Sequence, residues 1–186
     1  LLADSRGTTI SDNIITNNLH GIFLERCSGI TISGNTVTDN RYGIRLFSSS
    51  GNIISGNTIS NNFYGIHLYA ESYMNIFSKN TISENGEGVY LSESCGNNTL
   101  YYNNFVNNTY QVDGEVAESI WDNGAEGNYW SDYEGKDLDG DGIGETLLPH
   151  LGADYYPLME LWNQYRVFSV TIYGETYYVA TFSNST

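Results

Sequence analysis

Ser55-Gly56-Asn57-Thr58-Ile59-Ser60-Asn61-Asn62 is one copy of a segment that returns, with variations, along the first 110 residues. Its first asparagine falls at Asn13, Asn35, Asn57, Asn80 and Asn103, in steps of 22, 22, 23 and 23 residues. A glycine follows eight residues later, at Gly21, Gly43, Gly65 and Gly88. A period this constant marks a solenoid, in which each repeat is one supersecondary unit stacked on the last. Most ordered residues then serve the scaffold, and function is confined to what the scaffold leaves over.

Aligned on that asparagine, the apolar residues fall into four rows. Three residues before it stand Ile10, Ile32, Ile54, Phe77 and Leu100, and two after it Ile15, Val37, Ile59, Ile82 and Phe105. Nine after it stand Ile22, Ile44, Ile66, Val89 and Val112, and eleven after it Leu24, Leu46, Leu68 and Leu91. The flanking positions are mostly Ser, Thr, Asn and Asp. Apolar residues two apart in short β-branched runs mark strands with one buried face. About 22 residues hold three short strands and tight turns, whereas helical repeats need about 30 or more and propeller blades about 40. The Leu-x-x-Leu-x-Leu pattern of a leucine-rich repeat is absent. The sequence therefore predicts an all-β, right-handed, single-stranded parallel β-helix over residues 2–114. It has about five coils, stacked roughly 4.8 Å apart.

A second asparagine row stands five residues after the first: Asn18, Asn40, Asn62, Asn85 and Asn108. Asparagine suits turns, bonds nearby backbone and, stacked in register, bonds its own kind. The four glycines are expected to supply turns where a Cβ would clash. Leu2 lies eleven residues before Asn13, so residue 1 falls inside the last strand of an earlier coil. An uncapped solenoid end exposes strand edges, and the expectation is a piece of a longer protein or an end that meets a partner.

The net charge is −15 with only two lysines, Lys79 and Lys136. That argues against nucleic acid and anionic membrane surfaces as partners, and no run is long and apolar enough to span a bilayer. A secreted protein that attracts cations fits. Asn97, Asn107 and Asn184 open Asn-x-Ser/Thr glycosylation sequons. Cys27 and Cys95 each stand eight residues before a repeat asparagine, three coils apart. Three coils are roughly 14 Å, too far for a disulfide within the chain, so two turn thiols are expected, with an intermolecular bridge as the alternative.

After Val112 the pattern fades. Gly127-Asn128 echoes Gly56-Asn57, and Trp130 then falls where Ile59 stands, so a divergent last coil plugged by Trp is expected. Residues 115–160 read as a cap crowded with Trp121, Tyr129, Tyr133, Tyr155 and Tyr156. Inside it lies Asp137-Leu138-Asp139-Gly140-Asp141-Gly142-Ile143-Gly144-Glu145. Alternate carboxylates with glycines for the turn wrap oxygens around one hard cation, here Ca²⁺. Asp137, Asp139, Asp141, the Ile143 carbonyl and Glu145 are the expected ligands. Position twelve is Leu148 rather than Glu, so this is no EF-hand, and Asp132 or Asp154 is expected to complete the shell. Residues 161–186 read as a hairpin around Tyr173-Gly174-Glu175-Thr176. It is expected to dock on the helix, start another domain or pair with a neighbouring molecule, where strand addition to the open end would build a head-to-tail filament.

The Gly-Asn-Thr-Ile-x-x-Asn-x-x-Gly-Ile-x-Leu repeats resemble those of the NosD-type periplasmic copper-binding family. Asn128-Tyr129-Trp130-Ser131-Asp132-Tyr133, the acidic loop and Asp154-Tyr155-Tyr156-Pro157-Leu158-Met159 resemble the end of such domains in archaeal secreted and cell-surface proteins. The resemblance covers about residues 1–160. It implies a parallel β-helix and an extracellular location, and it supports Asp154 as a carboxylate of the cap.

Many β-helices cleave polysaccharides with paired carboxylates. The outward residues between the Ile and Leu rows are Phe23, Arg45, His67, Tyr90 and Asp113, with Glu25 as the nearest acidic candidate. No carboxylate cluster joins Arg45 and His67, and catalysis is not expected. Copper needs soft or imidazole ligands, but the Met, His and Cys residues are scattered. Phe23, Tyr42, Arg45, Phe47, Tyr64, His67, Tyr69 and Tyr90 instead form a stripe up one side. Such a stripe suits a protein contact or a sugar. The expected function is a non-enzymatic structural or adhesive module of a surface layer, sheath or filament, through self-association or other surface proteins. A carbohydrate-binding or carbohydrate-degrading helix and a copper-delivery factor are the rival readings.

Overall fold

The computed structural model describes residues 1–163, 165–172 and 175–182. Three parallel sheets run along the axis, each coil giving one strand to each. The first sheet holds Leu2–Ala3, His20–Glu25, Tyr42–Phe47, Tyr64–Tyr69, Glu87–Leu91 and Tyr110–Gly114. The second holds Thr9–Ser11, Thr31–Ser33, Ile53–Ser55, Ile76–Ser78 and Thr99–Tyr101. The third holds Ile14–Thr16, Thr36–Thr38, Thr58–Ser60, Thr81–Ser83, Asn104–Val106 and Tyr129–Trp130. The chain is a parallel β-solenoid of about six turns.

The sequence rows are the ladders. Leu2, Leu24, Leu46, Leu68 and Leu91 pair in register, as do Ile22, Ile44, Ile66, Val89 and Val112. So do Ile10, Ile32, Ile54, Phe77 and Leu100. The row from Ile15 through Val37, Ile59, Ile82 and Phe105 ends on Trp130. Ile44, Ile66 and Val89 are wholly buried, and Ile22 keeps 4 % exposure. Each such side chain contributes about 1.5–3 kcal/mol by leaving water.

Corners are made by single left-handed residues placed directly before a ladder residue. One coil turns at Arg26, Gly29, Gly34 and Asp39, and the next at Ser48, Gly51, Gly56 and Asn61, all at positive φ. The ladder asparagines are not themselves left-handed, contrary to the expectation that they would make the turns. They fasten the corners instead. Asn57 Oδ1 accepts from the Asn35 backbone N–H and Nδ2, both at 3.0 Å. Its Nδ2 donates to Ile32 O at 2.9 Å and to Asn80 Oδ1 at 3.0 Å. Bonds from both neighbouring coils over-determine a backbone that most side chains resist. A third ladder, Asn52, Asn75 and Asn98, was not foreseen.

Gly21, Gly43, Gly65 and Gly88 do not supply the expected turns: each is the second residue of a strand in the first sheet, and each is needed because the next coil leaves no room for a side chain. A Cβ on Gly43 would lie 2.5 Å from the Gly65 carbonyl oxygen, and one on Gly65 would lie 2.6 Å from that of Gly88. Cys27 shares a ladder with Ser49, whose Oγ accepts from the Cys27 N–H at 3.0 Å, and with Ser72, which accepts from the Ser49 N–H at 3.2 Å. Cys95 follows 23 residues after Ser72. Both cysteines are free and buried.

Beyond Val112, Ile120 bridges Thr99 and Trp121 is buried. Trp130 stacks on Phe105 at 4.2 Å. Tyr165–Ile172 and Glu175–Phe182 pair antiparallel, with Ile172 opposite Glu175. The hairpin turn Tyr173-Gly174 and the sequon at Asn184 lie outside the described residues.

Candidate functional site

In the strands of the first sheet, the second, third and fifth residues turn inward or meet the next coil. The first, fourth and sixth form the outer face. Register sets Tyr64 between Tyr42 and Glu87, His67 between Arg45 and Tyr90, and Tyr69 beside Phe47. The stripe is therefore one continuous face, to which His20 and Glu87 also belong. His20 stacks on Phe23 at 4.9 Å and on Tyr42 at 5.0 Å, and Tyr42 stacks on Tyr64 at 5.1 Å with planes 9° apart. His67 stacks on Tyr90 at 5.1 Å, and Phe47 lies 5.5 Å from Tyr69. The Arg45 guanidinium sits over Tyr42 at 4.7 Å and Phe23 at 5.3 Å. Arg45 makes no ion pair among the described residues.

This packing has electrostatic consequences. Burial, then Arg45, then His20, hold the His67 imidazole down to about pKa 4. His20 is lowered by burial and by Arg45, and the Glu87 carboxyl is raised by burial and then by Asp113 in the next coil. A histidine depressed in the folded state favours folding fully above its unfolded pKa of about 6.5. That contribution is lost as pH falls through about 4, because only the unfolded chain takes the proton within the window. Melting temperature is expected to fall between pH 6.5 and 4, and His67→Gln should flatten that slope. Equal slopes in the two proteins would show that His67 does not contribute.

The acidic loop is the second site. Among the described residues, Asp137, Asp139, Asp141 and Glu145 are the one group of three or more His, Cys, Asp or Glu whose ligand atoms all lie within 4.8 Å of one another. Asp137 accepts from the Gly140 N–H at 2.6 Å and the Gly142 N–H at 2.9 Å, which holds its carboxyl below the ordinary range. Gly140 and Gly142 sit at φ 85° and 91°, where a Cβ would strain the turn. An antiparallel bridge between Ile143 and Leu158 ties the loop to the cap.

Two expected ligands do not join the group. Asp132 Oδ1 lies 3.3 Å from His150 Nε2, without a hydrogen bond, and accepts from Gln111 Nε2 at 3.3 Å. Asp154 is fully buried and ends the first asparagine ladder. Its Oδ2 accepts from the Asn128 N–H at 2.9 Å and Trp130 Nε1 at 2.8 Å, and its Oδ1 from the Tyr156 N–H at 2.9 Å. Burial raises its pKa against those bonds. The sequence signal for this role was available: Gly127-Asn128 announced one more ladder rung, and a rung needs an acceptor beyond it. Glu87 was missed although it stands 23 residues after Tyr64. The sequons at Asn97 and Asn107 are exposed.

Asparagine-fastened coils carrying one ring-lined face define a β-solenoid repeat protein. The family model described as "Periplasmic copper-binding protein (NosD)" matches residues 1–135, and the chain belongs to that family. Comparison with curated proteins gave no match. The acidic loop lies beyond the matched residues. The donors present do not fit copper. The converging group is all carboxylate, whereas copper prefers nitrogen and sulfur. Both cysteines are buried at corners, and His20 and His67 stand two strands apart in the sheet.

Proposed function

We propose that the chain is a non-enzymatic structural or adhesive module of an extracellular assembly such as a surface layer, sheath or filament. The observation that carries this reading is the ring-lined face on the first sheet, a continuous surface of adjoining rings. The family's periplasmic description supports a place in the cell envelope or outside it. No helix among the described residues is long and apolar enough to cross a membrane. The rings pack mainly against one another, which favours a protein contact over the flat open ring faces that sugars use. The polysaccharide reading has one observation on its side, the raised Glu87 carboxyl beside Asp113. Antibody-labelled electron microscopy of native surface material tests the proposal. Label on an ordered lattice or filament supports it, and dispersed label opposes it. Selective binding on a glycan array, or sugar release lost in Glu87→Gln, would favour the rival.

The acidic loop takes Ca²⁺ in this reading. Hard oxygen donors on a turn suit that ion, and extracellular calcium would fasten the loop to the cap. Ligand at 100 times its Kd stabilises by about 2.7 kcal/mol, a shift of roughly 5–10 °C for a chain of this size. Chelation is expected to lower the melting temperature by that amount, and Asp139→Asn with Asp141→Asn to remove the response. Melting that ignores both calcium and chelator would reduce the loop to an acidic turn.

A further inference from the structure

Six buried polar side-chain atoms have no hydrogen-bond partner among the described residues, and four belong to the ring-lined face: His20 Nδ1, Arg45 Nε, His67 Nδ1 and Glu87 Oε2. His67 is only 8 % exposed. These four atoms are already shut off from solvent within the face, so what marks the face for a partner is the pattern of rings and charges around them. The face also has an electrical direction. Arg45 lies one strand before His67, while Glu87 lies one strand after it and Asp113 two strands after.

We infer that this face binds a second copy of the chain, with the two solenoid axes antiparallel and the dyad passing through the strand of Tyr64 and His67. Antiparallel faces set Arg45 of each copy opposite Tyr90 of the other and Tyr42 opposite Glu87, and the Arg45 guanidinium lies over the Tyr42 ring, which gives the two-way exchange that an isologous contact requires. The parallel alternative sets Arg45 against Arg45 and is opposed by like charge. His67 meets its own counterpart at the dyad, where the neutral imidazole that the face favours is needed. An acidic polysaccharide could satisfy Arg45 but would be repelled by Glu87 and Asp113.

The inference rests on reading the face as a contact surface and names the partner. Its plan area is roughly 500 Å², below the ~800 Å² per partner of a standard interface. Two chains of charge −15 also repel at long range, although at physiological salt that field decays over about 8 Å. The expected dimer is therefore weak and is best measured by sedimentation at high protein concentration.

Charge reversal provides the test. Arg45→Glu alone and Glu87→Arg alone should each be monomeric, with association weakened about tenfold or more, as expected when a charge-assisted pair becomes a repulsion. An equimolar mixture of the two variants should recover association, since each bad contact then meets its complement. That recovery also shows that both variants are folded. Wild-type protein that stays monomeric, single variants that associate like wild type, or a mixture that fails to recover would each overturn the dimer. Micrographs of a labelled surface assembly alongside monomeric wild-type protein would overturn the dimer while leaving the surface role standing.

Discussion

Ile44→Asp is expected to cost about 4 kcal/mol or more, because a carboxylate replaces an apolar side chain in a bore with no partner for it. Ile44 has no exposed surface and lies in register between Ile22 and Ile66. The loss is a large part of the roughly 5–15 kcal/mol that holds a domain together. In a solenoid each coil is stabilised mainly by its neighbours, so the damage should divide the stack at its second and third long strands. Urea unfolding is expected to lose cooperativity or to shift its midpoint strongly downward. An unfolding curve close to wild type would mean that the bore is not as packed as described.

Asn57→Ala is expected to cost about 3 kcal/mol. It leaves the buried Asn35 N–H without a partner, at about 1–3 kcal/mol, and removes the bonds that Nδ2 gives the Ile32 carbonyl and Asn80. Asn57→Asp should be worse near neutral pH, although it is closer in shape. The carboxylate still accepts from Asn35, but its second oxygen then faces the Ile32 carbonyl and Asn80 Oδ1, where Nδ2 formerly donated. Lowering the pH should return part of the deficit in the Asp variant and none in the Ala variant. Paired urea melts at pH 7 and pH 4 read this directly, and an Asp variant as stable as wild type at pH 7 would contradict the donor role.

The four apolar ladders and the two longest asparagine ladders were legible because one residue type holds its place through five coils. The third asparagine ladder was hidden because its first position is Ile30, whose backbone N–H takes the Asn52 acceptor at 2.9 Å. The serine ladder was masked by Cys27 and Cys95. The corners carry no composition signal at all, since Gly34, Lys79 and Tyr102 adopt the same left-handed conformation at equivalent places. There the stacked bonds outweigh local preference. The outer face was legible in its rings but not in Glu87, which interrupts them. The cap has no repeat to lend it a register, so only the extra rung at Gly127-Asn128 hinted that Asp154 serves the ladder, and nothing comparable set Asp132 apart from the carboxylates of the loop.

Asparagine and aspartate differ here by direction. An asparagine amide receives from one coil and gives to the next, so every rung carries the same polarity as the one before. Asp154 has only acceptor oxygens when ionised; it takes what Asn128 and Trp130 offer and passes nothing on. Coils upstream of it are interchangeable parts, and their number sets reach in graduations of roughly 4.8 Å. Such a chain works as a ruler. Whole coils could be duplicated or dropped without redesigning a joint, and a single carboxylate marks where the scale stops.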